Sequence, residues 1–489
     1  MAAGPVQFGP AQACTAGELT VGRLIVVSNR APSIDGSSDS GGLVVALKDA
    51  LSKDGGLWIG GAPEQHENPS SELVLHHRPD FDVALFELEP ELHDDYYLGY
   101  SNSVLWPAFH GRVDLIVVKP RYAAAYRQVA ERLARQIAET VRDDDLIWVH
   151  DYQLIPLAHY LKALGVKCRI GFFLHIPLPD LQTFMAIPDW REMVKWLADY
   201  NLIGFQTRRD LANMITIFRH GLRGELRANG NIGINGREVA IGCFPISIDV
   251  QGFRRLAAEG AVATEPPPLP RLIGVDRLDY SKGLPQRLAG YETFLSKYPQ
   301  FRSKVSLLQI APPTRDDVDA YKDIRSELEH LSGKINGDFG TIDWTPVQYI
   351  HRAMPRDELA VLFRLSRVGL VTPLFDGMNL VAKEYVAAQD EADPGVLILS
   401  QFAGAAEEMT AALIINPHNP VGIAEAIKKA LDMPLGERIE RHTTLYAHLE
   451  GNDIARWSAA FLKRLRAPDD IGPDNVARFP GQGVWSKTG

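Results

Sequence analysis

Cysteine is scarce in this chain: 489 residues hold three, Cys14, Cys168 and Cys243, too scattered for a disulfide framework or a zinc-ligand spacing. Long apolar runs are missing as well. No stretch reaches the length of uncharged residues that a transmembrane helix needs, and the opening MAAGPVQFGPAQACTAGELT lacks the basic start and apolar centre of a secretory leader. Positive charge is in deficit, since 51 Lys and Arg against 61 Asp and Glu leave a formal charge of -10. That balance repels nucleic acid and anionic lipid, so neither is expected as a partner. The signatures GxxxxGK[ST], GxSxG and HExxH are absent, which weakens nucleotide hydrolase, serine hydrolase and zincin readings. No GxGxxG follows the first apolar run, so a nicotinamide dehydrogenase is disfavoured too. A cytoplasmic protein fits what remains.

What is present is ordinary globular composition, 46% hydrophobic and 23% charged, in a chain long enough for two cores. Short β-branched runs recur: RLIVVSNR, DLIVV, DLIWVH, RIGFFLH, LIGFQT, RLIGVDR, VSLLQI, VGLVTPL and GVLILS. They read as buried parallel strands. Helical spacing between them, as in YAAAYRQVAERLARQIAETV (122–141) and DELAVLFRLS (357–366), predicts an α/β, doubly wound architecture in two series. A linker is expected around 246–252, with the Pro-rich ATEPPPLP of 263–270 opening the second series. The expected division is a tail over 1–20, one domain over 21–248, a second over 249–450, a closing helix over 451–466 that packs back on the first, and a tail over 467–489.

In open α/β sheets ligands sit beyond the carboxyl ends of the strands. That rule singles out Arg30, Asp151, His175, Arg277, Arg315 and Asp376, each at or just after a strand-like run. A lone Asp or Arg there is commonly a turn former or helix cap. Six together, three of them arginines in an acidic chain, point to phosphorylated, anionic ligands.

Local patterns add detail. In LFDGMNLVAKEYVAAQ, Asp376-Gly377 turn a strand into a helix whose first amides can hold a diphosphate. Glu384, further along it, suits paired ribose hydroxyls and equally suits a solvated helix face. Arg277 and Lys282 in VDRLDYSKG can both reach one diphosphate or form a surface ion pair. Gly41 and Gly42 in SGGLVVAL permit close backbone approach, or simply make a loop. His175 in FFLHIPLP reads as a catalytic or a core histidine, and Trp58 and Trp106 as core or as a wall for a sugar ring. Tyr97, in what reads as a loop, could donate to a phosphate oxygen. The D-x-D pairs Asp80/Asp82, Asp143/Asp145 and Asp317/Asp319 could suggest a divalent ion, but Asp143 to Asp145 precede their strand, at the wrong end of the sheet. Metal dependence and a cofactor are not expected.

From about residue 21 to 466 the sequence resembles the trehalose-6-phosphate synthase family of GT-B glycosyltransferases. The motifs that carry this are VVSNRAP, SGGLVVAL, YYLGYSNSVLWPAFH, VHDYQL, FFLHIPLP, VDRLDYSKGL, APPTRDDV, DGMNLVAKEYVAAQ and LSQFAGAAEE. The resemblance implies two facing Rossmann-like domains. It implies that Arg30, Tyr97, Trp106 and Arg315 receive glucose 6-phosphate, and that Asp151 binds its hydroxyls. On the donor side it implies Arg277 and Lys282 on the diphosphate, helped by the amides of Leu380 and Val381 within Met378-Asn379-Leu380-Val381. Glu384 would take the ribose, Met354 the base pocket, and His175 and Asp376 the transferred glucose, while Gly41 and Gly42 match a mobile loop. The family's usual glycine in P-I-G-I-D is Ser247 here.

The activity so implied is retaining transfer of glucose from UDP- or ADP-glucose to glucose 6-phosphate, giving trehalose 6-phosphate. Arg277, Lys282 and helix amides would stabilise the departing diphosphate. A sister transferase with another acceptor, such as glycerol 3-phosphate, or a non-catalytic sugar-phosphate sensor are the alternatives. A homo-oligomer is compatible with the sequence.

Overall fold

The computed structural model describes residues 22–34, 44, 47–48, 50–52, 56–262, 264–314 and 319–467. Among these, ten strands form a first sheet: β1 (Leu24–Arg30), β2 (Leu57–Gly61), β3 (Val74–His76), β4 (Asp82–Phe86), β5 (Leu146–His150), β6 (Arg169–Phe173), β7 (Leu202–Phe205), β8 (Glu225–Leu226), β9 (Ile232–Ile234) and β10 (Arg237–Cys243). Their order is β3-β4-β2-β1-β5-β6-β7-β10-β9-β8, parallel from β4 to β10, with antiparallel additions at both edges. The second sheet is wholly parallel: β11 (Arg271–Val275), β12 (Ser306–Ile310), β13 (Val347–Ile350), β14 (Val368–Val371), β15 (Val396–Ser400) and β16 (Leu413–Ile415), in the order β13-β12-β11-β14-β15-β16. Helices cover both faces, which is why β5, LIWVH, is buried at every position and reads as a continuous apolar run.

In each sheet the first strand has its successor on one side and a later strand on the other. The order therefore reverses between β1 and β5 and between β11 and β14. A crevice opens at such switch points, and this places Arg30 and Asp151 on one crevice and Arg277 and Asp376 on the other.

The run DLIVV is not a strand. Val113–Leu115 form one 3-10 turn, Val113, Val117 and Val118 are about half exposed, and Pro120 starts the helix Pro120–Ala138. A short β-branched run carries no periodicity that separates strand from loop, and here no strand among the described residues pairs with it. The chain crosses between sheets through residues 244–249 into the helix Val250–Val262. Ser247 in that crossover is fully buried, and its hydroxyl meets no hydrogen-bond partner among the described residues. The late helix Ile454–Arg466 returns to the first sheet. Phe461 stacks on Trp148 at 4.4 Å and fills the space over Gly171 and Gly204, where an added Cβ would come within 2.8 Å of its ring.

Candidate active site

The second crevice is built around buried charge. Lys282 closes a 3-10 turn after β11, and its ammonium lies 2.6 Å from Asp376 Oδ2, both side chains nearly out of solvent. Asn379 Nδ2 donates to the same oxygen at 3.0 Å and to Asp276 Oδ1 at 3.4 Å. Asp276 Oδ2 takes Arg287 at 2.5 Å, and the fully buried Arg287 also donates to Thr372 Oγ1 and Gln309 Oε1, each at 3.0 Å. Two cations and two carboxylates thus compensate one another in a dry setting, the condition under which buried charge is tolerated. Burial pushes Asp376 upward, but Lys282 and the Asn379 hydrogen bond outweigh it and hold the carboxyl below its ordinary range.

Asn379 also sets the helix Leu380–Ala388. It adopts a left-handed φ of 78°, and its Oδ1 caps the Ala382 amide at 3.1 Å, leaving the amides of Leu380 and Val381 at the open end. Glu384, one turn in, is half-buried. Burial raises it to about 7, opposed by the charge of Arg356. Met354, Leu380 and Val381 border the same apolar cluster. Lys383, buried on the far side of this helix, donates to the Ile246 carbonyl at 2.7 Å and pairs with Glu408 at 2.8 Å.

The first crevice is more open. Arg30 ends β1, donates to the Tyr97 hydroxyl at 3.3 Å and lies over its ring at 5.6 Å, beside a cavity of about 860 Å³ that both residues line. Tyr97 is not in a loop. It belongs to a wide π-helical segment, Asp94–Leu105, a form that recurs at functional sites. Asp151 has φ 71° and ψ 170°, a region almost reserved for glycine that costs about 1–3 kcal/mol and is concentrated at functional sites. Burial raises it to about 6, countered by the amides of His175, Tyr152 and Ile176 and by the charge of Arg277.

The crevices meet. Arg277 reaches from the second sheet to within 5.7 Å of the Trp106 ring, which also packs against His110 at 4.0 Å, the two rings tilted. A Cβ at Gly377 would lie 2.2 Å from the His175 carbonyl oxygen, so the two halves touch where only glycine fits. Burial drives His175 down to about 3, and its ring therefore stays neutral. Arg30 and Tyr97 form one group on the cavity, and Trp106, Asp151, His175, Arg277, Lys282 and Asp376 form another along the seam. Trp58 is core: it is buried, with Nε1 donating to Ser28 Oγ at 2.8 Å. Asp145 is an anchor for Arg23 at 2.9 Å. Arg315, Gly41 and Gly42 lie outside the described residues.

Sequence reasoning missed Asp276, Arg287, Gln309, His150, Gln206 and Lys383. A signal existed for Arg287, an arginine on the inner face of a helix opposite Gly274, where a Cβ would lie 2.3 Å from its Nη1.

Two doubly wound sheets whose crevices face each other across cationic side chains and a helix N-terminus make this a glycosyltransferase of the GT-B architecture. Within that class, the chain belongs to Glycosyltransferase family 20, which it matches over residues 18–467. It is 45% identical over 456 residues to the trehalose-6-phosphate synthase of Sodalis glossinidius (strain morsitans), covering 91% of this chain and 96% of that protein. An alpha,alpha-trehalose-phosphate synthase (UDP-forming) from Burkholderia xenovorans, solved in complex with glucose-6-phosphate, superposes with a TM-score of 0.86 at 44% identity, over 91% of this chain and 100% of that one. An E. coli trehalose-6-phosphate structure bound with UDP-2-fluoro glucose gives 0.86 at 43% identity, over 92% and 99%.

Proposed function

We propose that this chain transfers glucose from UDP-glucose to glucose 6-phosphate with retention, forming trehalose 6-phosphate and UDP. The observation that carries this reading is the meeting of the two crevices at Arg277, Trp106 and the Gly377–His175 contact, in a chain of this family. The relatives' UDP-forming activity and their glucose-6-phosphate and UDP-sugar complexes support the choice of substrates.

On this reading residues 21–248 bind the acceptor, residues 249–450 bind the donor, and 451–466 close back on the first. Arg30 and Arg315 clamp the acceptor phosphate, Tyr97 and Trp106 complete its pocket, and Asp151 takes its hydroxyls. Arg277, Lys282 and the amides of Leu380 and Val381 hold the donor diphosphate, Glu384 the ribose, and Met354 the base pocket. His175, Asp376, Met378 and Asn379 border the transferred glucose, and Gly41 and Gly42 close over it.

The acceptor hydroxyl attacks from the face the diphosphate leaves, and the departing phosphate oxygen receives its proton. Arg277, Lys282 and the helix amides stabilise the charge that grows there, already oriented before reaction begins. Lys282 can address the arriving phosphate while staying paired with Asp376, since an ammonium carries three donors. Among the described residues no helix is long and apolar enough to cross a membrane. Both substrates are multiply charged and cross bilayers poorly, and we place the reaction in the cytoplasm. The test is release of nucleoside diphosphate from UDP-, ADP- and GDP-glucose, with and without glucose 6-phosphate. Release from UDP-glucose that does not depend on glucose 6-phosphate would overturn the reading.

A further inference from the structure

The imidazoles of His150 and His175, at the ends of the adjacent strands β5 and β6, stack at 5.3 Å with His150 Nδ1 3.0 Å from His175 Nε2. Burial holds both rings neutral. A single proton therefore lies between these nitrogens, and the groups beyond them decide which ring owns it. On the other side of His175, Nδ1 faces Gln206 Nε2 at 3.5 Å. That amide cannot turn over, because its Oε1 already accepts the Ile246 N–H at 2.9 Å and the side chain is buried. Gln206 thus presents N–H to His175, and His175 Nδ1 is an acceptor.

The rest follows from valence. His175 carries its proton on Nε2 and donates it to His150 Nδ1, and the proton of His150 falls on its own Nε2. That nitrogen is buried and meets no partner among the described residues, a type of orphan that folded proteins seldom keep without a reason.

We propose that His150 is a positioning residue: by accepting from His175 Nε2, it fixes the tautomer in which His175 offers an unprotonated Nδ1 to a hydroxyl of the transferred glucose. This rests on the reading that His175 borders that sugar. The 3.5 Å contact with Gln206 is long enough to yield to a better donor. His175 then orients the sugar as an acceptor and supplies no proton to the reaction. With an apolar residue at 150, His175 Nε2–H would be left buried without an acceptor, and the opposite tautomer would set its Nδ1–H against the Gln206 N–H. The ring would lose its fixed orientation either way.

The test uses the full chain labelled with 15N in its histidine rings, the two resonances being assigned from His150→Asn and His175→Ala. Protonation of His175 at Nε2 in the ligand-free protein is the expected result, and protonation at Nδ1 overturns the relay. His150→Leu is expected to lower kcat by roughly 10- to 100-fold while the KM for glucose 6-phosphate stays nearly constant. His150→Asn, whose Oδ1 stands where Nδ1 stood, is expected to restore both kcat and the Nε2–H signature. An Asn variant no better than Leu, or a Leu variant with normal kcat, overturns the positioning role. If the tautomer is as assigned but His175→Ala keeps full turnover and UDP-glucose affinity, the sugar's placement beside His175 fails while the relay does not, so the two failures are read separately.

Discussion

On the proposed reading each crevice holds a phosphate, and the two are built in opposite ways. On the second sheet, Lys282, Asp376, Asn379, Asp276 and Arg287 form one continuous hydrogen-bonded chain away from solvent, and the helix that follows is capped by a member of that chain. On the first, Arg30 touches a tyrosine at 3.3 Å beside a cavity of about 860 Å³, and its expected partner Arg315 belongs to another part of the chain. The difference shows where organisation is placed. If the second crevice is where charge builds up during reaction, as proposed, orientation there is fixed in advance, while the first, which would only capture a substrate, relies on an exposed cation.

The largest blow to this contrast is Arg287→Met, which strands Asp276 in the interior. It should cost about 3–5 kcal/mol, and hydrogen exchange should show the loss at β11 and β14 while β1 and β5 keep their protection. A loss spread evenly over both sheets would erase the distinction. Lys282→Ala should lower kcat by roughly 100- to 1000-fold with little change in the KM for glucose 6-phosphate, and unchanged turnover would remove Lys282 from charge stabilisation. Arg30→Ala should act in the opposite manner. It should raise that KM by about 10-fold or more, in line with a charge-assisted hydrogen bond of about 1.5–3 kcal/mol, and leave UDP-glucose affinity by calorimetry unaltered.

A smaller effect follows from Glu384, which burial raises from 4.5 to about 7. If its carboxylate takes the ribose hydroxyls as proposed, donor affinity should tighten by up to about tenfold per pH unit as pH rises toward 7 and then level off. Glu384→Gln should flatten that profile. The sign for folding is opposite: an acid whose folded value is raised stabilises in its protonated form, and that contribution is lost as pH rises from 4.5 through about 7. The smallest effect lies between the halves. Ser247→Ala removes an unsatisfied buried hydroxyl and should raise stability by about 1 kcal/mol, read as a higher Tm with turnover unchanged.

Much of this was legible in the chain itself. The parallel strands announced themselves as apolar runs, and the rule of carboxyl-terminal crevices selected Arg30, Asp151, His175, Arg277 and Asp376, which lie at the crevices, together with Arg315, which falls outside the described residues. What escaped was pairing over distance. Lys282 and Asp376 are 94 positions apart and Arg287 and Thr372 are 85 apart, separations about which local spacing says nothing. DLIVV and the tyrosine segment failed for a different reason. One has strand composition without a strand beside it, and the other is a π-helix, whose wider turn leaves no familiar apolar period.

The buried Lys383 has a mechanical implication. Its ammonium ties the helix at the mouth of the second crevice to the peptide at Ile246, within the crossover that joins the two sheets. Axle and lever are thereby pinned together, so that a displacement of the crossover at Ile246 would pull on the helix whose first amides are those of Leu380 and Val381.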